Sequence, residues 1–134
     1  MNKKENKKNT ESIREYKADI TEEISEKILM QLKKILPGKR GLLVIKGPSI
    51  GDEFYIEKDD FIIGRSPESD VLLDDITVSR KHALLKKDED EYRLIDSGSL
   101  NGSYLNGNIV EEVILSNGDR IQIGKYIFIY FSIK

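Results

Sequence analysis

Two arginines, a set of hydroxyls and one side-chain amide fall into three short strings of this 134-residue chain: Gly64-Arg65, Ser79-Arg80-Lys81-His82 and Ser99-Leu100-Asn101-Gly102-Ser103. A guanidinium presents a planar fork of donors that matches the oxygens of an anion, and a serine hydroxyl adds a compact donor beside it. A side-chain amide donates and accepts at once, which suits holding an extended backbone in register. Catalytic apparatus is missing from the set. His82 is the single histidine and there is no cysteine, and Ser79 with His82 has neither a nucleophile elbow nor an acid partner to orient it. The strings describe a surface that reads one anionic group on a peptide. Duller roles stand beside that one: Arg65 in a loose ion pair with Asp70 or Asp74, Ser79 and Ser99 capping turns through side-chain to backbone bonds, and His82 as a satisfied structural residue.

The elements that position these strings follow from patterning. After Pro37-Gly38, short runs rich in Val, Ile, Leu, Phe and Tyr alternate with turn residues at spacings of about eight to twelve, the sign of a β-sandwich or barrel. Strands are expected near residues 42–45, 53–56, 61–63, 71–72, 82–86, 92–95, 104–105, 113–114, 120–123 and 126–132. Turns are expected at Gly47-Pro48, Ser97-Gly98, Asn106-Gly107, Asn117-Gly118 and Gly124-Lys125, where Gly or Asn accepts positive φ. Before Pro37, apolar residues recur at helical steps from Ile13 to Leu36. Asp19 and Glu22 would cap a helix of about four turns starting near Ile20 and stopping at Pro37-Gly38. The first nine residues are Lys- and Asn-rich with no apolar anchor, which predicts a mobile tail. The expected organisation is an all-β sandwich of about ten to eleven short strands over 39–134, preceded by a tail and amphipathic helical arm over 1–38.

Composition narrows the partners. Residues 1–40 hold 11 Lys/Arg against 7 Asp/Glu, a net of +4, and residues 41–134 hold 11 against 17, a net of −6. An acidic domain is a poor start for nucleic-acid binding, whose affinity comes from phosphate neutralisation. Without cysteine there is no disulfide framework and no thiolate metal site, and one histidine limits other metal ligation. The opening residues lack the apolar core of a signal peptide and no run approaches a membrane span. A cytoplasmic protein without cofactor or metal is expected.

The four landmarks Gly64-Arg65, Ser79-Arg80-Lys81-His82, Ser99-Leu100-Asn101-Gly102-Ser103 and Asn106-Gly107, in this order on an all-β pattern, resemble the forkhead-associated (FHA) domain, a phosphothreonine-binding β-sandwich. The resemblance covers residues 40–132. The wording of DDITVSRKHA, GSLNGSYLNG and LSNGDRIQIGK is most similar to small single-FHA regulators of central carbon and nitrogen metabolism in actinobacteria. A phosphothreonine carries about −1.5 to −2 charge at pH 7 and three strong acceptor oxygens, which agrees with a forked cation and hydroxyl donors. The resemblance implies that Arg65, Ser79 and Arg80 hold the phosphate, that Asn101 holds the peptide backbone, and that His82 ties the loops together from inside. Gly64, Gly102 and Gly107 are expected where a Cβ would clash or where the backbone needs glycine, and Asn106 in a hairpin turn. Leu100 is a departure, because many eukaryotic members carry there a Thr that helps hold the phosphate; either the Leu100 amide or the Ser99 hydroxyl takes its place. Thr77 matches the position that selects the residue three after the phosphothreonine, and a small neutral side chain there favours an aliphatic one.

The family regulators carry a phosphorylation segment before the domain, and this arm holds Thr10 and Thr21, each with an isoleucine three residues on. Phosphorylated Thr10, with Thr21 as second choice, is expected to fold back into the chain's own pocket and exclude partners; the plain alternative is an unmodified tail that aids solubility. The implied partners are phosphothreonine proteins, a Ser/Thr protein kinase and metabolic enzymes, with no nucleic acid and no membrane. A different class of function is a docking module that binds unphosphorylated enzymes through the same face.

Overall fold

The computed structural model describes residues 25–134, and a boundary between Lys34 and Ile35 separates a helical part from a β part. In the first, Ser25 is extended (φ −75°, ψ 164°) and its hydroxyl accepts the Ile28 amide at 3.3 Å, which caps helix α1, Glu26–Lys33. Glu26 in the first turn and Lys33 in the last complement the helix dipole. The helix therefore starts at Glu26 rather than near Ile20, and it ends before Pro37. The Asp19 and Glu22 cap lies outside the described residues.

Eleven strands follow: β1 (Arg40–Lys46), β2 (Glu53–Tyr55), β3 (Asp60–Gly64), β4 (Val71–Leu72), β5 (Ala83–Asp88), β6 (Glu91–Asp96), β7 (Ser103–Leu105), β8 (Asn108–Val110), β9 (Glu112–Ile114), β10 (Arg120–Ile123) and β11 (Tyr126–Ser132). They form a six-stranded sheet in the order β2-β1-β11-β10-β7-β8 and a five-stranded sheet in the order β4-β3-β5-β6-β9. All pairings are antiparallel except β3 with the two-residue β4.

The alternating pattern sets which side chains meet between the sheets. Leu42, Val44, Ile121, Ile123, Phe128 and Tyr130 from the larger sheet share one core with Phe61, Ile63, Leu85, Tyr92 and Leu94 from the smaller. The long pair β1 and β11 runs in register from Arg40 opposite Ser132 to Val44 opposite Phe128. Both faces of this pair are buried, since Leu43, Ile129 and Phe131 are also inaccessible. Among the expected turns, Asn106 (φ 52°) and Gly107 (φ 86°) form the two-residue connection of β7 to β8, the conformation for which Asn-Gly is favoured. Strand β8 is the one strand that the patterning did not resolve.

Leu94 is fully buried on β6 between the β5 and β9 neighbours. Leu94→Ala should cost about 2–5 kcal/mol by urea unfolding; a loss under about 1 kcal/mol would mean that this core can close around the void.

Candidate functional site

The ends of strands place all three strings at one end of the sandwich. Gly64 closes β3, the 79–82 string runs into β5, and the 99–103 string joins β6 to β7. Two backbone bonds zip the first string to the second, from Arg65 N to Ser79 O and from Ser66 N to Arg80 O, both 3.0 Å. The approach is so close that a Cβ on Gly64 would collide with the Arg80 carbonyl oxygen and lie 3.1 Å from that of Ser79. Position 64 is therefore restricted to glycine by contact, whereas Gly102 is restricted by its φ of 85°.

His82 joins the second string to the third from within. Its side chain is fully buried, Nδ1 accepts the Ser79 amide at 3.0 Å, and Nε2 lies 2.8 Å from the Gly102 carbonyl oxygen. A carbonyl only accepts, so Nε2 carries the hydrogen and the ring is neutral. Neither nitrogen meets a hydroxyl.

What remains on the surface is a set of donors with spare capacity. Arg65 gives Nε to the Val78 carbonyl at 3.0 Å, which fixes the guanidinium plane and leaves its two terminal nitrogens exposed. Neither Asp70 nor Asp74 pairs with it; Asp70 is held by Lys58 at 2.8 Å and by the Ile62 amide. Ser79 Oγ accepts the Leu100 amide at 3.0 Å, so its own proton is available to a ligand. Arg80 is exposed and has no ion-pair or side-chain hydrogen-bond partner among the described residues. Asn101 donates to the Thr77 carbonyl at 3.1 Å, keeping its oxygen and second hydrogen outward.

One expected contact points elsewhere in this geometry. The Ser99 hydroxyl donates to Asp96 at 2.6 Å and accepts the Gly102 amide at 2.9 Å, the turn-capping role rather than an outward one. Of the two groups weighed at the Leu100 departure, the amide of Leu100 is the one beside Ser79. Asn106 uses both ends of its amide on the neighbouring turn, donating to Asp119 and accepting from the Arg120 amide, a structural role. Thr77 donates its hydroxyl to Asp75 and accepts the Lys125 amide at 3.1 Å. Thr10 and Thr21 lie outside the described residues.

The patterning missed the aspartates that hold these loops. Asp96 gathers the amides of Gly98 and Ser99 and the hydroxyls of Ser99 and Ser103. Burial alone would push its carboxyl up, but those four donors outweigh burial and hold it below the usual carboxylate range. Asp75 takes the hydroxyl and amide of Thr77 and an ion pair with Lys125 at 3.0 Å, which brings its carboxyl down to about 2. Their signal in the sequence is local: an aspartate two residues before a small or hydroxylated turn residue, the spacing of an Asx-turn. Among the described residues no cluster of His, Asp and Glu is placed to hold a metal, and no helix is long and apolar enough to cross a membrane.

A profile of the FHA domain matches residues 61–124. The chain is 45% identical over 98 residues to the oxoglutarate dehydrogenase inhibitor of Corynebacterium jeikeium, covering 72% of this chain and 68% of that one. It is 36% identical over 124 residues to the glycogen accumulation regulator GarA of Mycobacterium tuberculosis, covering 87% of this chain and 76% of that one. Among solved structures, an FHA domain studied for phosphothreonine-dependent interactions superposes with a TM-score of 0.66 at 28% identity, covering 72% of this chain and 98% of that one. The FhaA FHA domain, solved with the intracellular domain of a second protein, gives 0.63 at 30%, covering 68% and 98%.

Because Asp75 and Asp96 titrate lower in the folded chain than in the unfolded one, their stabilisation is complete above about pH 4. It is lost as the pH falls toward their folded values, about 2 for Asp75. Asp75→Asn and Asp96→Asn should each lower stability at pH 7 and make the acid limb shallower; urea midpoints between pH 7 and 2 with the wild-type slope would refute the assignment.

Proposed function

The chain belongs to the FHA domain family, and from that premise we propose that it is a non-enzymatic signalling regulator that binds phosphothreonine-containing proteins and acts on metabolic enzymes. The observation that carries this reading is the arrangement at Arg65: a guanidinium anchored at Nε with its fork exposed, next to a serine whose hydroxyl proton has no acceptor among the described residues. Phosphate oxygens would complete both. Residues 39–134 are the binding domain and residues 1–38 the regulatory arm.

Within the site, Arg65, Ser79, Arg80 and the Leu100 amide face the phosphate, Asn101 holds the peptide backbone, and His82, Gly64, Gly102 and Asn106 keep the loops in place. Ser99 acts on the phosphate through the position of Leu100 rather than by its own hydroxyl. Thr77 remains the specificity position. Its hydroxyl is satisfied within the loop and its neighbour Ile76 is 89% exposed, so this rim offers an aliphatic side chain to the residue three after the phosphothreonine.

The relatives are named for effects on oxoglutarate dehydrogenase and glycogen accumulation, which supports metabolic enzymes as targets; a Ser/Thr protein kinase would supply the phosphothreonine. Phosphorylated Thr10, or failing that Thr21, occupies the chain's own pocket and silences it. Tethering raises the local concentration to about millimolar when the linker spans the distance, enough to close a site of modest affinity.

Hydrogen bonds to charged partners contribute about 1.5–3 kcal/mol each. Arg65→Ala should therefore weaken a phosphothreonine peptide at least ~10-fold by calorimetry, and the unmodified peptide should not bind. Equal affinity for phosphorylated and unmodified peptides would favour the docking module, as would a partner enzyme that still binds Arg65→Ala. Treating the full chain with a kinase that modifies Thr10 should abolish peptide binding in trans; undiminished affinity would reject self-inhibition.

A further inference from the structure

The end of the sandwich opposite the Arg65 loops carries a second concentration of positive charge. A cavity of about 380 Å³ lies between the start of β1, the β2–β3 connection, the end of β5, the start of β6 and the end of β11, and Lys39, Arg40, Lys58, Lys87 and Lys134 line it. The part of the chain from residue 35 onward holds 13 Lys/Arg against 17 Asp/Glu, a net of −4. Five of those cations converge here against two side-chain carboxylates, Glu57 and Asp59. Lys58 is paired with Asp70, but among the described residues no carboxylate pairs with Lys39, Arg40, Lys87 or Lys134. Like charges repel at such density unless a counter-charge joins them.

The floor of this cavity is built and rigid. Arg40 gives Nε to Ser132 Oγ at 3.3 Å and Nη2 to the Asp90 carbonyl at 2.8 Å. It also lies 5.0 Å from the centroid of the Tyr92 ring, and the Tyr92 hydroxyl in turn donates to the Lys58 carbonyl at 2.7 Å. Backbone bonds from Ile56 N to Arg40 O and from Lys87 N to Asp59 O hold the walls at 2.8 Å. The rim is of another kind, with lysines whose ammonium groups are rotatable point charges suited to phosphate oxygens. Tyr92 is buried and Arg40 lies over its ring, so this ring offers no surface for a base to stack on.

We propose that this cavity is a second, separate site for a compact oxyanion carrying two or more negative charges, of the diphosphate or phosphomonoester class, held on the fixed Arg40 and gripped by Lys39 and Lys87. Its occupancy is independent of the phosphothreonine-reading end.

The test is a titration of the full chain with pyrophosphate at constant ionic strength, followed residue by residue by amide NMR. Saturable shifts at Lys39, Lys87, Tyr92 and Ser132 are expected. The Lys39→Gln/Lys87→Gln double variant, both exposed positions, should keep its folded spectrum and its phosphopeptide affinity while losing about tenfold or more in pyrophosphate affinity. Shifts confined to Arg65, Ser79 and Asn101, shifts that sodium chloride reproduces, or unchanged affinity in the double variant would each overturn the proposal. A phosphopeptide that fails to bind while pyrophosphate shifts the Tyr92 end would instead count against the main reading alone.

Discussion

The proposed recognition end depends on one buried imidazole. His82 receives the Ser79 amide and reaches the Gly102 carbonyl, while its own amide is bonded to Ile63 O and its carbonyl to Ser97 N. Four contacts from one residue thus fix β3, the loop before β5 and the loop between β6 and β7 against one another. A buried ring of this polarity is tolerable only because both nitrogens are satisfied. The surface groups proposed to meet the phosphate, the Ser79 hydroxyl and the Arg65 fork, are in turn referred to this interior point.

The aspartates around it do complementary work. Asp70 is taken up by Lys58 and the Ile62 amide, Asp75 by Thr77 and Lys125, and Asp96 by two hydroxyls and two amides. Each holds a loop in shape, and each spends its charge on partners other than the nearby arginines. Among the described residues Arg65 and Arg80 are left without an ion-pair partner, in a part of the chain whose net charge is negative. That condition favours an incoming anion over internal pairing.

How much of this was legible beforehand follows from physical range. The strands β3, β5, β6 and β10 show period-two alternation, and their burial repeats it; Ile121 and Ile123 are buried while Gln122 between them is not. The glycine roles were readable from what the backbone demands at a close approach or a turn, and the His82 role from the resemblance to the family. Strand β8 was not, since Asn108 and Ile109 are exposed and the flanking Asn-Gly-Asn reads only as a turn. Nor was the helix start, where a Ser25 cap stands inside a helical period that continues on both sides. The anchoring of Arg65 on the Val78 carbonyl and the inward turn of Ser99 are contacts between chain segments, and one-dimensional order offers an aspartate in the same stretch as an equally good partner.

Position 100 illustrates how a contact can be independent of its side chain. The Leu100 side chain is 88% exposed, and the group that meets Ser79 Oγ is the backbone amide. Nineteen of the twenty standard residues carry that N–H, and only proline lacks it. Substitution along this loop can therefore drift freely in size, charge and polarity at position 100 without erasing the bond. A survey by alanine replacement would score the residue as silent although its main chain belongs to the proposed recognition surface.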